Sequence, residues 1–292
     1  MNYLITGGSG YIGQKLIQKI NPKQHNITIL SRKKQKFGYR TIQSLDSIKN
    51  NENIDIIINL AGSRIDNLWT RSNKKVLIDS RISTTNNIFK LIERLNNKPK
   101  LMLSASAIGY YGNNSRLNLD ETAQPQKSFT FDLCNQWETA ALKTQQLGVN
   151  TKIIRLGVVI GKNSNFINKI AIPFKLGLGG TLGSGQQFFS WIHIDDVVNG
   201  LLYLIDNHST QTYYNFVSPH PVTNQQLTQA IGKVLHRPTI FNLPETLIKL
   251  IYGAMGQELL LQSKSISPKA LQNAGYKFLY NQITPAIRDA FL

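Results

Sequence analysis

Apolar residues follow two alternating patterns along the first half of the chain. Short runs rich in β-branched residues predict buried strands, and stretches with apolar positions every three or four residues predict helices. The predicted strands are 3–5, 26–30, 39–42, 54–58, 101–103 and 151–160. The predicted helices are 11–20, 70–95 and 129–147. Strands that alternate with helices in this way are typical of a doubly wound parallel sheet, so the predicted fold class is α/β.

The alternation becomes less regular after Gly161. Residues 172–185 include five glycines, which favours a mobile or wrapped loop rather than core. Further elements are predicted as a strand entering a helix at 188–205, a strand at 213–217, and a helix after a capping box at 223–226. We expect Asp195 or Asp196 to cap the first of these helices. The sequence therefore predicts a sheet domain over 1–161 and a smaller C-terminal lobe over 162–292, with a returning strand and helices that cover the substrate site.

Glycines at three-residue spacing follow the first predicted strand and open the first predicted helix. Gly7 permits a tight turn, Gly10 lets a pyrophosphate approach the backbone, and Gly13 lets the helix pack closely against the strand. The helix N-terminus adds free N–H groups and partial positive charge. The pattern, completed by Ser9, Tyr11 and Ile12, predicts a dinucleotide site; the alternative is a glycine-rich turn without a ligand.

The end of the second predicted strand distinguishes between the two nicotinamide dinucleotides. An NAD site usually has an acidic residue about 20 positions after the glycines, to bind the ribose 2′-hydroxyl. Here Ser31 and Arg32 stand at the strand end, and Arg32 is 19 positions after Gly13 (32 − 13). A guanidinium can bind a 2′-phosphate through paired hydrogen bonds, which favours NADP. For Lys33 and Lys34 we favour the simpler reading of a solvated basic loop.

Small residues follow two further strands, where an open α/β sheet binds its ligands. Leu60 and Ala61 end one strand, and Ser104–Gly112 ends the next. Arg81 interrupts the apolar pattern of the long helix between them. It is either an exposed helix residue or an arm that reaches the cofactor phosphates.

Composition limits the class of protein. The chain has 292 residues, of which 41% are hydrophobic, and no apolar run approaches the ~20 residues of a bilayer span. The first strand begins at residue 2 or 3, which leaves no room for a signal peptide, and the single cysteine, Cys134, excludes an internal disulfide. We expect a cytoplasmic protein without a membrane partner.

The formal charge of +17 raises the question of an anionic partner. The basic residues are scattered, and no basic-aromatic repeat of the kind that single-strand binders use is present. A small-molecule substrate is therefore favoured over nucleic acid, and a homo-oligomer remains open. The spacing of His, Cys, Asp and Glu fits none of the known zinc types, so no metal site is predicted.

Several strings together resemble the short-chain dehydrogenase/reductase superfamily in its extended, epimerase-like form. The resemblance is greater to an atypical branch described as nucleoside-diphosphate-sugar epimerase-like, and it covers essentially the whole chain. The strings are Ser-Ala-Ile-Gly-Tyr-Tyr-Gly (106–112), Pro-Phe-Lys-Leu-Gly-Leu-Gly-Gly (173–180), Gly-Ser-Gly-Gln-Gln (183–187), Trp-Ile-His-Ile-Asp-Asp (191–196) and Ser-Pro-Lys-Ala-Leu (267–271).

The resemblance implies a Rossmann sheet that binds NADP under a C-terminal lobe. It implies that the glycine loop holds the pyrophosphate and that Ser31 and Arg32 hold the 2′-phosphate. Further cofactor contacts implied in the same way are Leu60, Ala61, Arg81 and Val159. Ordinary members place a serine at the position of Ser106, and a Tyr-x-x-x-Lys pair transfers the proton.

The chain departs from that family pattern at the proton-transfer pair. Counting back from Glu138, the tyrosine position carries Thr130 and the lysine position carries Cys134. The nearest replacement phenols are Tyr110 and Tyr111, so the candidate catalytic residues are Ser106, Tyr110 and Tyr111. Packing beneath the lobe is the equal alternative for each tyrosine. A Cys134 nucleophile is less favoured, because buried cysteines are usually inert.

Two functional hypotheses follow. One is an NADP-dependent oxidoreductase or epimerase that acts on a small polar, sugar-like or anionic molecule. The other is a non-catalytic NADPH-binding sensor or scaffold, motivated by the missing Tyr/Lys pair. His193 near Asp195 and Asp196 suggests a catalytic dyad, but we favour a structural histidine beside a helix cap.

Overall fold

The computed structural model describes residues 1–21, 23–32, 38–114, 116–207 and 209–292. The strands in these ranges are β1 (Asn2–Thr6), β2 (Asn26–Leu30), β3 (Arg40–Ile42), β4 (Ile56–Asn59), β5 (Leu101–Ala107), β6 (Asn150–Leu156), β7 (Val158–Ile160), β8 (Gly180–Leu182), β9 (Phe188–Phe189), β10 (Trp191–His193), β11 (Tyr213–Phe216), β12 (Val222–Thr223) and β13 (Phe241–Leu243). The helices are α1 (Tyr11–Lys19), α2 (Arg71–Arg94), α3 (Phe129–Leu142), α4 (Asn165–Lys175), α5 (Ile194–Asp206), α6 (Asn224–Leu235), α7 (Glu245–Gly256), α8 (Lys269–Asn273) and α9 (Ile283–Phe291).

Seven of the described strands form one parallel sheet in the order β11-β6-β5-β4-β1-β2-β3. The chain starts at β1, builds outward through β2 and β3, and then returns to add β4 on the other side of β1. The direction of winding therefore reverses between β1 and β4, and ligands of open α/β sheets bind at the carboxyl ends of the strands at such a reversal. The predicted α/β fold class is confirmed.

Apolar clusters cover both faces of this sheet. On one face α1 and α5 pack over the strands, with Leu16, Val197 and Leu201 in the core. On the other face α2 and the turn that follows α3 pack around Ile57 and Ile92. Burial on both faces explains why β4 reads as a continuous run of isoleucines rather than an alternating pattern.

The predicted strand 151–160 is two strands in different sheets. β6 stays in the main sheet, while β7 pairs with β10. The break is at Gly157, where a Cβ atom would lie 2.8 Å from Val217 Cγ1 and 3.0 Å from the Ser190 carbonyl oxygen. Beyond this point the chain leaves the main sheet, and β11 later returns to pair with β6. The single-strand prediction was therefore wrong, because the sequence does not show which neighbour each half meets.

The expectation of a wrapped loop over 172–185 was also wrong in part. α4 continues through Pro173 to Lys175, buries Phe174, and is followed by β8. A Cβ atom at Gly179 would lie 2.5 Å from the Phe174 ring, so this glycine allows close packing. Within the described ranges, no helix is long and apolar enough to cross a membrane.

Candidate functional site

A cleft of about 570 Å³ opens at the carboxyl ends of the strands, between the sheet and the segments that follow β7. One end, here called the glycine end, is lined by Gly7, Gly10, Tyr11, Ile12, Gly13 and Leu60. The other, here called the lobe end, is lined by Gln187, Phe188, Ser190, Leu260, Gln262 and Lys264. Ser106, Thr130, Cys134 and Trp137 line the same cleft from β5 and α3. A second cavity, of about 620 Å³, opens near Asn2 and His25, and none of the predicted site residues line it.

Close main-chain packing forms the glycine end. A Cβ atom at Gly13 would lie 2.4 Å from the Gly7 carbonyl oxygen. Gly7 has a φ of +71°, and a Cβ atom there would lie 2.6 Å from the Leu60 carbonyl oxygen. Side chains at Gly7 and Gly13 would therefore force the loop away from α1 and from the end of β4.

The N-terminus of α1 differs from those of neighbouring helices. Its N-cap residue, Gly10, supplies no side-chain hydrogen bond, and its first turn holds no acidic residue. Five other described helices have a side-chain cap, from Thr70, Ser128, Ser164, His193 and Thr223. The first N–H groups of α1 are thus open to an anion, and the helix dipole favours negative charge there.

Buried hydrogen bonds hold the strand ends beneath the cleft. The Thr6 hydroxyl donates to Asn59 Oδ1 at 2.7 Å. The amide nitrogen of Asn59 donates to Thr85 Oγ1 at 2.9 Å and to Ser104 Oγ at 3.2 Å. These bonds join β1, β4, β5 and α2, so the floor is rigid at the reversal point of the sheet.

Arg81 lies in the uninterrupted helix α2 and lines the cleft. Its guanidinium donates to the Leu77 and Ser63 carbonyl oxygens, both at 3.0 Å, and lies 5.2 Å from the centre of the Trp137 ring. Burial lowers the pKa of this guanidinium. The predicted helix therefore runs through Arg81, and the position of this side chain in the cleft lining favours the alternative of an arm that reaches the cleft over that of an exposed helix residue. Val159 also lines the cleft.

Ser106 belongs to a buried polar chain in the cleft wall. Its hydroxyl donates to Glu138 Oε1 at 2.6 Å. Glu138 also accepts from Arg155 Nε at 2.9 Å and Nη2 at 2.8 Å, and both side chains are almost fully buried. Because its proton is held by Glu138, the Ser106 hydroxyl keeps lone pairs with which it can accept a hydrogen bond from a ligand.

The two candidate tyrosines do not line the cleft. Tyr111 is fully buried, and its hydroxyl donates to Asn215 Oδ1 at 2.7 Å and accepts from Arg155 at 3.1 Å. Burial raises the pKa of Tyr111 to about 12. The Tyr110 ring packs with its centre 3.5 Å from Arg155 Cζ. The packing alternative therefore describes both residues, and the structure gives no support to their catalytic role.

Thr130 and Cys134, which stand where ordinary family members have the Tyr/Lys pair, also line the cleft. The Thr130 hydroxyl and N–H donate to Glu258 Oε2 at 2.9 Å and 3.0 Å. Cys134 is buried, and burial raises the pKa of its thiol to about 11. Thr130 therefore anchors the C-terminal segment to α3, and Cys134 stays protonated near neutral pH, against a nucleophilic role.

Four predicted cofactor contacts are not part of the cleft lining: Ser9, Ser31, Arg32 and Ala61. Ala61 approaches the glycine loop, with its N atom 2.9 Å from where a Gly7 Cβ would stand. Ser31 is buried at the end of β2, and Arg32 beside it is exposed. The basic run continues through Lys33 and Lys34, and that part of the prediction falls outside the described residues.

His193, rather than Asp195 or Asp196, caps α5. His193 Nδ1 accepts from the Asp195 N–H at 3.3 Å, and Nε2 lies 3.1 Å from Asp289 Oδ2. Asp196 instead accepts from the Leu279 and Tyr280 N–H groups and anchors the C-terminal segment. The cap prediction was wrong because an imidazole nitrogen can cap a helix as a carboxylate does. His193 is structural, as expected, and does not line the cleft.

Sequence reasoning missed the polar groups of the lobe end. The Lys264 side chain is buried, and Nζ donates to the Glu258 carbonyl oxygen at 3.2 Å. Burial lowers the pKa of Lys264 to about 8. Gln187 and Gln262 lie beside the same C-terminal segment. The nearby string Ser-Pro-Lys-Ala-Leu (267–271) marks the family resemblance and gives no signal for these three residues. The described residues hold no group of three or more His, Cys, Asp or Glu suited to a metal ion.

Comparison with known proteins gives matches along nearly the whole chain. The model of the NAD-dependent epimerase/dehydratase family matches residues 3–217, and a domain of unknown function matches residues 243–290. An epimerase family protein of Staphylococcus aureus strain MRSA252 is 32% identical, over 98% of each chain. One from Staphylococcus epidermidis is 31% identical, again over 98% of each chain.

A solved structure resembles the whole fold. The crystal structure of human epimerase family protein SDR39U1 with NADPH has a TM-score of 0.87 and 29% sequence identity, and the match covers 99% of this chain and 98% of that one. The nucleoside-diphosphate sugar epimerase of Corynebacterium glutamicum has a TM-score of 0.76 and 26% identity, over 98% of this chain and 57% of that one.

Proposed function

Since the chain belongs to the NAD-dependent epimerase/dehydratase family, we propose that it is an NADP-dependent oxidoreductase or epimerase of a small polar molecule. The observation that carries this proposal is that an open, uncapped glycine end and a polar lobe end share one cleft. The first suits a pyrophosphate, and the second suits a substrate with oxygen atoms.

The preference for NADP rests on the end of β2. Arg32 is exposed there, and its carbonyl oxygen accepts from Gln43 Nε2 at 3.2 Å. The similar human protein was crystallised with NADPH. A 2′-phosphate placed beside Arg32 would gain a charge-assisted hydrogen bond that a 2′-hydroxyl cannot match.

A nicotinamide dinucleotide bound in the cleft would supply hydride chemistry. The residues of this chain would then hold the cofactor and orient the substrate. Gly7, Gly10 and Gly13 let the pyrophosphate approach the main chain beside the uncapped N-terminus of α1, and Leu60 gives the cleft an apolar wall. Ser106, with its proton held by Glu138, accepts a hydrogen bond from a substrate hydroxyl.

A second candidate function is an NADPH-binding sensor without turnover. The observation that favours it is the use of Thr130 to bind Glu258, together with the raised thiol pKa of Cys134. Neither residue can replace a phenol whose pKa is lowered by a lysine. Loss of NADPH absorbance at 340 nm with any member of a carbonyl and sugar panel would eliminate the sensor, and its absence across the panel would favour it.

Calorimetric titration of NADPH and NADH tests the cofactor assignment. For Arg32→Asp we expect NADPH affinity to fall about tenfold or more, equivalent to roughly 1.4 kcal/mol for a lost charge-assisted pair. NADH affinity should stay the same. Arg116→Asp, an exposed arginine that does not line the cleft, is the control. Equal affinity of the wild-type protein for NADPH and NADH would refute the NADP preference.

A further inference from the structure

Three buried side-chain atoms lack a hydrogen-bond partner in the described part of the chain: Trp137 Nε1, Gln187 Oε1 and Gln262 Oε1. All three side chains line the cleft. Leaving such an atom unpaired costs about 1–3 kcal/mol, so buried polar groups in proteins nearly always have partners. Three unpaired atoms around one cavity therefore indicate a ligand with both hydrogen-bond donors and acceptors.

The orientation of the Gln187 amide is fixed by its neighbours. The side chain is only 9% exposed, and its nitrogen donates to the Leu182 and Leu260 carbonyl oxygens at 2.9 Å and 3.1 Å. A flipped amide would place oxygen against both carbonyl oxygens, so the oxygen remains the free atom. This oxygen requires a donor such as a ligand hydroxyl.

Lys264 adds a positive charge to the same end. Its main-chain N–H donates to the Phe188 carbonyl oxygen at 3.0 Å, and its own carbonyl oxygen accepts from the Ser190 hydroxyl at 2.6 Å. The backbone is therefore held in place, while the 8% exposed side chain makes no salt bridge to a described carboxylate. Glu258 favours the charged form of Lys264, against the larger effect of burial. A buried cation without an anionic partner is costly, which an anionic ligand would relieve.

We propose that the lobe end binds a small hydroxylated carboxylate. The ligand carboxylate pairs with Lys264, and its hydroxyls donate to the side-chain oxygens of Gln187 and Gln262. The Trp137 N–H donates to a further ligand oxygen. This inference rests on the proposed function, in which the cofactor occupies the glycine end, and it names the class of substrate.

Charge and space favour a free acid over a nucleotide-linked sugar. Among the described lining residues only Arg64, Arg81 and Lys264 carry a cation. The Arg81 guanidinium is engaged by two carbonyl oxygens, and Arg64 lies 3.5 Å from an Asp66 carboxylate oxygen. A diphosphate would thus find few free cations. The cleft volume of about 570 Å³ is within the range of an ordinary ligand pocket. In the proposed function the cofactor occupies part of this volume, so the space that remains suits a small acid better than a second nucleotide.

The test uses the indole N–H resonances of the ¹⁵N-labelled full chain, titrated with D-gluconate, D-glucose or UDP-glucose, with and without NADPH. The Trp137 signal is assigned from Trp137→Phe. Trp69 and Trp191 are internal controls, because their N–H groups already donate to Ile65 and His220 carbonyl oxygens. We expect a saturable shift of the Trp137 signal alone, with gluconate bound about tenfold or more tightly than glucose, as one charge-assisted bond predicts.

Variants of Lys264 test the charge. Lys264→Met should weaken gluconate binding about tenfold or more and leave glucose binding unchanged. Lys264→Gln, which can still donate to Glu258, is the second charge-removing variant if Lys264→Met does not fold. Lys175→Met removes an exposed lysine at the end of α4 and should change nothing.

The outcomes separate this inference from the proposed function. No Trp137 shift with gluconate, or unchanged gluconate affinity in the Lys264 variants, would overturn the subsite even if NADPH binds. Tighter binding of UDP-glucose than of gluconate would replace the free acid by a nucleotide-linked ligand. Gluconate binding in a protein that binds neither NADPH nor NADH would support the subsite and refute the cofactor assignment.

Discussion

The two ends of the cleft are formed by different parts of the polypeptide, main-chain atoms at one end and side chains at the other. The glycine end consists of main-chain atoms in one continuous segment, Gly7–Gly13, against the end of β4. The lobe end consists of side chains from distant segments, with Gln187 before β9 and Lys264 before α8. In the proposed function, the backbone of the glycine end binds a dinucleotide whatever the substrate, whereas the side chains of the lobe end select the substrate.

The two ends also differ in whether their polar groups can find hydrogen-bond partners when no ligand is bound. At the glycine end the open N–H groups of α1 face the cleft, where water can bind them at little cost. At the lobe end an amide oxygen and a lysine ammonium are more than nine-tenths buried. Unpaired buried groups of this kind cost free energy, which the proposed ligand would release on binding, so function at the lobe end would oppose stability.

The largest expected effect is at Glu138, in the wall between the two ends. Glu138→Gln removes the charge that pairs with buried Arg155. Leaving such a charge uncompensated typically costs about 3–5 kcal/mol, and we expect that loss in the free energy of unfolding from urea denaturation. Glu245→Gln, which breaks an exposed pair with Lys249, is the matched control and should cost less than about 0.5 kcal/mol. If Glu138→Gln cost as little as the control, the ion pair between Arg155 and Glu138 would not contribute to the stability of the fold.

The glycine end could be predicted from sequence because its signal is local. Gly7, Gly10 and Gly13 stand at fixed spacing between a strand and a helix, and the packing that requires Gly7 and Gly13 occurs within that loop and the adjoining strand end. The α/β class could be predicted for the same reason, since each strand and helix has its own periodicity.

The lobe end could not be predicted, because its residues meet only after the lobe folds. Gln187 and Lys264 are 77 positions apart (264 − 187) and share no periodic pattern. The cap of α5 and the division of strand 151–160 were missed for a related reason. Both depend on neighbours supplied by distant segments, Asp289 for His193 and β10 for β7.

A smaller effect, of opposite sign, is expected at Lys264. Lys264→Met should raise the free energy of unfolding at pH 7 by about 2 kcal/mol. This is the cost of holding a lysine with a pKa of about 8 rather than its ordinary value, at about 1.4 kcal/mol per unit, less about 1 kcal/mol for the lost hydrogen bond to Glu258.

The same variant has a diagnostic pH dependence. Between the folded pKa of about 8 and the higher unfolded value, the unfolded wild-type chain binds more protons than the folded one. Raising the pH through this window therefore stabilises the folded wild-type protein, and the advantage of Lys264→Met should shrink between pH 8 and pH 10. Denaturation at pH 7 and pH 10 measures the difference. A constant advantage would mean that the lysine is not strained by burial.

The smallest expected effect on stability is at Gly13, where the main-chain character of the glycine end can be tested. In Gly13→Ala the new methyl group would lie 2.4 Å from the Gly7 carbonyl oxygen and 2.6 Å from Gly8 Cα. Overpacking costs about 1–3 kcal/mol, and the better helix propensity of alanine returns up to about 1 kcal/mol. We therefore expect a net loss of about 1 kcal/mol in the free energy of unfolding.

NADPH binding should be more sensitive than stability to the same substitution, because the displaced loop carries the N–H groups that face the pyrophosphate. Gln18→Ala, an exposed position of the same helix that does not line the cleft, should alter neither quantity. Calorimetry and urea denaturation of the two variants separate the effects. If Gly13→Ala instead stabilised the protein by about 1 kcal/mol and kept its NADPH affinity, helix propensity alone would govern this position. The glycine end would then owe its shape to something other than close main-chain packing.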